Sequence, residues 1–179
     1  MKLLAFAASN SRNSINRSLV HYAASRLSAK EGLDVEIEFL DLNDFNLPIF
    51  SIDLENESGI PGLAKTFFEK MGSADALLIS FAVHNGSVTA VWKNMFDWMS
   101  RIDKNVWQSK PMVIMAATPG ARAGASVLEQ VTNTAPHFAG NIKGSVGIGH
   151  WQEAFNKDTQ VLVNSADVAA LDAALENLG

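Results

Sequence analysis

Residues 2–19, KLLAFAASNSRNSINRSL, decide the fold. The first seven, KLLAFAA, are short, apolar and end at a cluster of turn formers, which reads as a buried strand. Ile15, Leu19, Tyr22, Ala23 and Leu27 then recur at helical spacing. Between them lies SNSRNSIN (9–16), in which seven of eight residues are Ser, Asn or Arg. A strand, a donor-rich loop and a helix in that order predict the opening unit of a parallel α/β sheet.

The rest of the chain repeats the alternation. Gly32 fits the end of the first helix. DVEIEFLDL (34–42) alternates, with Val35, Ile37 and Phe39 on one face, and predicts an edge strand. Residues 43–62 contain Pro48 and Pro61, show no period and read as a long surface loop, uncommon without a role as lid or interface. Leu63, Phe67, Phe68 and Met71 predict a second helix. DALLISFA (75–82) predicts a third strand, 88–102 a helix, and KPMVIMAAT (110–118) a fourth strand. Residues 122–137 predict a helix closing at Pro136, GSVGIG (144–149) a short fifth strand, and 166–178 a final helix. Five strands at this spacing predict a single domain over 1–179, a flavodoxin-like three-layer α/β sandwich with parallel order 2-1-3-4-5.

Composition narrows the function. Charged residues are 18% of the 179 and apolar residues 47%, so a good core forms and part of the surface is expected to be covered by a partner or ligand. The net charge is −5 with no basic run, which argues against nucleic acid. The absence of cysteine removes disulfides, thiol catalysis and zinc–thiolate sites and suits a cytoplasmic location. No stretch has the length of a membrane span, and no metal site is expected.

In an open parallel sheet, ligands bind beyond the carboxyl ends of the strands where the strand order reverses. The loops after strands one, three and four meet there. In the first, Ser9, Ser11 and Ser14 offer hydroxyls, Asn16 an amide and Arg12 a charged fork, around a helix N-terminus that begins near Ile15. Together they predict a phosphate site, although one Ser or Asn there also serves as a helix cap. The second loop, FAVHNGSVT (81–89), holds Ala82, Val83, His84 and the turn pair Asn85-Gly86. His84 invites a catalytic role or, more simply, packing against a ligand. The third, TPGARAGAS (118–126), offers Thr118, Pro119, Gly120, Ala121 and Gly124, with Arg122 available to an anion. Signatures G-x-G-x-x-G after strand one, G-x-x-x-x-G-K-[ST], H-E-x-x-H and G-x-S-x-G are absent.

Over residues 1–150 the sequence resembles the NADPH-dependent FMN reductase family, which includes quinone, azo-dye and chromate reductases. Ser9, Ser14 and Asn16 match its first loop, S-x-R-x-x-S-x-N, while Ser11 holds the arginine position and Arg12 follows it. Asn85, Gly86, Ser87, Lys93, Asn94, Asp97, Trp98, Ser100 and Arg101 match its second motif without a gap. Ala82, Val83 and His84 replace Pro-Glu-Tyr. The third loop resembles S-P-G-G-R-G-G, with Ala121 and Ala123 for two glycines.

The resemblance implies an FMN-dependent oxidoreductase that passes a hydride from NADPH or NADH through flavin to a small electron acceptor. A quinone, an azo compound, free flavin or a metal oxyanion would serve. It implies a homodimer or homotetramer, with the 88–102 helix and loop 43–62 at the subunit contact. It requires no catalytic side chain. A flavodoxin-type electron carrier and a flavin-free binding module are the other readings.

Overall fold

The computed structural model describes residues 1–178. Its element order is β1 (Lys2–Ala8), α1 (Ile15–Ser28), β2 (Glu36–Leu40), α2 (Ile52–Ser58), α3 (Gly62–Ser73), β3 (Ala76–Phe81) and α4 (Ala90–Ile102). Then come β4 (Pro111–Ala117), α5 (Ala125–Thr134), β5 (Asn141–Ile148), α6 (Trp151–Ala154), β6 (Phe155–Asn156), β7 (Val161–Leu162) and α7 (Ser165–Leu175). The main sheet has five strands in the order β2-β1-β3-β4-β5, all paired parallel.

The two-residue period of a strand sorts the core into two halves. Leu3 and Ala5 of β1 join α1 and α7 on one face, with Leu78, Val113 and Met115 from the neighbouring strands. Leu4, Phe6 and Ala8 face the other way and meet α3, α4 and α5 through Phe67, Trp92, Met95 and Val127. Phe6 packs edge-on to Phe67 at 5.2 Å between centroids. Covering both faces explains why the central strands read as continuous apolar runs.

Four boundaries differ from the sequence reading. Segment 43–62 is not a bare loop. A 3-10 turn over Leu42–Asp44 opens it, and α2 starts where Ser51 Oγ accepts a hydrogen bond from the Leu54 amide. That helix buries no residue, so no apolar period marks it. The fifth strand starts at Asn141, because Pro111 and Met112 of β4 pair with Asn141 and Ile142 before a register shift. The helix expected over 122–137 is shorter and passes into a 3-10 turn at Ala135–Phe138. Gly32, at φ 78°, belongs to the turn beyond α1, which ends at Ser28. The antiparallel pair β6–β7 was not expected at all. It is two residues per strand, and its Phe155 and Leu162 cap the α7 side of the core.

Candidate active site

The carboxyl ends of β1, β3 and β4 open into a cavity of about 520 Å³, within the usual range for small-molecule sites. Ser9, Ser11, Ser14, Ile15 and Asn16 line it from the first loop. Ala82, Val83, His84 and Gly86 do so from the second, and Thr118, Pro119, Gly120, Ala121 and Gly124 from the third. Arg12 and Asn85 are exposed and stand outside this lining. Asn13, Ala117, Arg122, Ala125 and Ser126 also line it. Three of these carried little signal: Ala117 has no polar side chain, and Ala125 and Ser126 belong to the first turn of α5.

The first loop is held tightly. Ser9 donates its amide to the Ala7 carbonyl at 2.8 Å, and its Oγ accepts from the Ser11 amide at 3.2 Å. Ser14 caps α1, its Oγ accepting from the Arg17 amide at 3.3 Å. Both serines are buried, at 3% and 9% exposure. Neither hydroxyl donates to another group among the described residues, so both hydrogens remain free. The Ile15 and Asn16 amides lie in the first turn of α1, where no helix carbonyl reaches them.

Asn16 is committed elsewhere. Its Oδ1 accepts from the Ala117 amide at 2.8 Å and the Ser80 hydroxyl at 2.7 Å, and its Nδ2 donates to the Ala117 carbonyl at 3.1 Å. The β3–β4 register ends at Ser80↔Met115. Ala117, two residues on, would present an unpaired amide and carbonyl, and the Asn16 side chain continues the missing strand. One Nδ2 hydrogen is left over.

The second loop is a two-residue hairpin. His84 and Ser87 exchange hydrogen bonds of 2.9 and 3.1 Å, and Asn85 and Gly86 both take positive φ, 52° and 80°. That pair of angles is why Asn-Gly stands there. Thr89, at the end of the same stretch, caps α4 and donates to the Ala8 carbonyl at 2.9 Å. In the third loop Gly124 has φ 73°, and a Cβ there would lie 2.3 Å from the Ala116 Cβ. Gly147 of β5 lets the loop approach: a Cβ on it would meet the Ala123 carbonyl oxygen at 2.0 Å.

No Asp or Glu lines the cavity. No group of three or more His, Asp or Glu able to hold a metal occurs among the described residues. No helix among them is long and apolar enough to cross a membrane. None of the motif residues on α4 lines the cavity. Asn94 accepts from the Phe50 amide at 2.8 Å and donates to the Pro48 carbonyl at 3.0 Å, and Trp98 Nε1 donates to the same carbonyl at 2.8 Å. Lys93 pairs with Asp97 at 2.7 Å, and Arg101 with Glu55 of α2 at 2.8 Å.

A family model described as NADPH-dependent FMN reductase matches residues 1–153. A 2-hydroxy-1,4-benzoquinone reductase from a Burkholderia species is 33% identical over 122 residues, 68% of this chain and 62% of that protein. A NADH-dependent flavin reductase subunit 2 from Lactobacillus johnsonii is 24% identical over 184 residues, 99% of this chain and 95% of that one. Among solved structures, the flavoenzyme NAD(P)H:(acceptor) oxidoreductase FerB of Paracoccus denitrificans superposes with a TM-score of 0.76 at 23% identity. That match covers 99% of this chain and 96% of FerB. The chain thus spans less than two thirds of the benzoquinone reductase and nearly all of the other two.

Proposed function

Because the chain belongs to the NADPH-dependent FMN reductase family, we propose that it is an FMN-dependent NAD(P)H oxidoreductase acting on a small acceptor of quinone or flavin type. The observation that carries this reading is the buried end of the cavity. Two seryl hydroxyl hydrogens and two free amides at the start of α1 converge there with no carboxylate nearby. A phosphate dianion wants that donor set, and each charged hydrogen bond is worth roughly 1.5–3 kcal/mol.

The residues fit FMN. Ser9, Ser14 and the Ile15 and Asn16 amides would hold its phosphate. The hairpin 84–87 and the backbone at Gly120–Gly124 would flank its ring, the missing Cβ of Gly124 letting that loop lie against Ala116 of β4. Bound there, a flavin supplies two-electron chemistry, taking a hydride from a nicotinamide and passing it to an acceptor. The side chains have simpler work. They bind, orient and shield, and none is needed as acid or base. Asn16 keeps the loop and β4 in register so that the donors stay aimed. Self-association through α4 and segment 47–58 belongs to the same reading, supported by Ile49 and Ile52, which are 76% and 65% exposed.

Titration with FMN tests the proposal. The protein turns yellow and quenches flavin fluorescence, and the combined Ser9→Ala/Ser14→Ala change weakens FMN binding more than Arg12→Ala does. The reverse order, or no uptake of FMN, removes the phosphate assignment. Rapid NAD(P)H oxidation with a quinone separates a reductase from an electron carrier, which gives none.

A further inference from the structure

The two ends of the cavity differ in chemistry. The inner end holds buried, neutral donors: Ser9, Ser14 and the backbone amide of Asn16, a residue 2% exposed. The outer end holds exposed donors from two other loops, His84, Arg122 and Ser126. Arg122 forms no ion pair with any carboxylate among the described residues, whereas Arg17, Arg26 and Arg101 are each paired; Arg12 is unpaired too but does not line the cavity. No Asp or Glu lines the cavity, although the chain as a whole carries −5. The mouth therefore has the opposite sign to the molecule.

The inner donors suffice for a resident phosphate without a full positive charge. The unpaired guanidinium at the mouth is left for a molecule that comes and goes. Resting on the reductase reading, we propose that Arg122, with His84 as second donor, selects a visiting ligand that carries an anionic group: an enolate, carboxylate, sulfonate or phosphate oxygen. A guanidinium offers a planar fork to such a group and is weakly hydrated, so it gives up little water on contact. A neutral ligand of the same shape gains nothing from it. The local positive field also concentrates anions at the mouth, an effect that salt weakens. The anion has two sources, a substituent on the acceptor or the 2′-phosphate that distinguishes NADPH from NADH.

The experiment uses FMN-loaded protein, wild type and Arg122→Gln. One arm takes the ratio of kcat/KM for 2-hydroxy-1,4-naphthoquinone, an enolate at neutral pH, to that for uncharged menadione, with NADH as donor. The other takes the ratio of NADPH to NADH, with menadione as acceptor. Calorimetry with 1-naphthalenesulfonate adds a binding readout without turnover. Arg122→Gln is expected to weaken the sulfonate and lower one of the two ratios by about tenfold. Arg122→Lys keeps the charge without the fork and restores part of the loss, and His84→Ala lowers the same ratio less. A fall in the quinone ratio places the anion on the acceptor, and a fall in the nucleotide ratio places it on the dinucleotide. Both ratios and the sulfonate affinity unchanged, with FMN bound and NADH oxidised, overturn this inference alone. A tenfold weaker FMN affinity in Arg122→Gln also overturns it, because the guanidinium then serves the resident cofactor. Wild-type protein that takes up no FMN removes this inference together with the reductase reading.

Discussion

Loop 9–14 and segment 41–61 each join a strand to a helix at the same edge of the sheet, yet they are held in opposite ways. The first is short: its buried ends, Ser9 and Ser14, tie it to its own strand and helix, and Asn16 just beyond it fastens that helix start to β4. The second is long and largely exposed, with a helix that buries nothing. Asn94, Trp98 and Arg101, about 45 residues away in sequence, fasten it to α4. Neighbours in sequence can set a short loop. A long one needs partners that arrive only with the fold.

The largest effect is expected from Asn16→Ala. It leaves the Ala117 amide and carbonyl and the Ser80 hydroxyl without their partner in a dry setting. A loss of about 3 kcal/mol is expected, at roughly 1–3 kcal/mol per stranded buried group with some relaxation. Urea unfolding measures it, and a loss under 1 kcal/mol would show that water replaces the side chain.

Asn94→Ala should cost less, about 1–2 kcal/mol, because its partners at Leu47–Phe50 lie near solvent. Its signature is local. Amide exchange is expected to speed up across 47–58 and stay unchanged in 9–16. Equal acceleration in both would mean that the two regions open together.

The smallest expected effect lies at the seam between them, where Arg17 pairs with Asp41 and His21 stacks on Phe39 at 4.1 Å. Burial, and next to it the Arg17 charge, hold the His21 imidazole below its ordinary value. The unfolded chain then binds the proton more readily than the folded one. The resulting stability is present above the ordinary value of about 6.5 and is lost as the pH falls through the lower folded value. Thermal melts from pH 7.5 to 5 should decline, and His21→Gln should flatten that decline. An identical slope in the variant would move the cause to other groups.

The same division explains what could be read in advance. Strand order, the two-faced core and the three loops at the switch point followed from apolar runs and their spacing, because burial on both sides leaves no other pattern for parallel strands. Thr89 and α2 escaped notice for a physical reason: a single threonine cap and a helix with no buried face leave almost no period to detect. The early start of β5 escaped too, since Asn141 and Lys143 look like loop until Pro111 and Met112 pair beside that stretch.

By itself the sequence determined which residues would crowd the carboxyl edge, since chain order and the handedness of strand–helix–strand units fix which loops meet there. Only the tertiary structure decided how their donors divide. Asn16 spends its amide on β4, Ser9 and Ser14 keep their hydroxyl hydrogens free, and Arg122 stands at the cavity mouth without a counter-charge. A hydrogen bond consumed across 101 residues of chain leaves no local mark in sequence, and neither does the absence of a carboxylate.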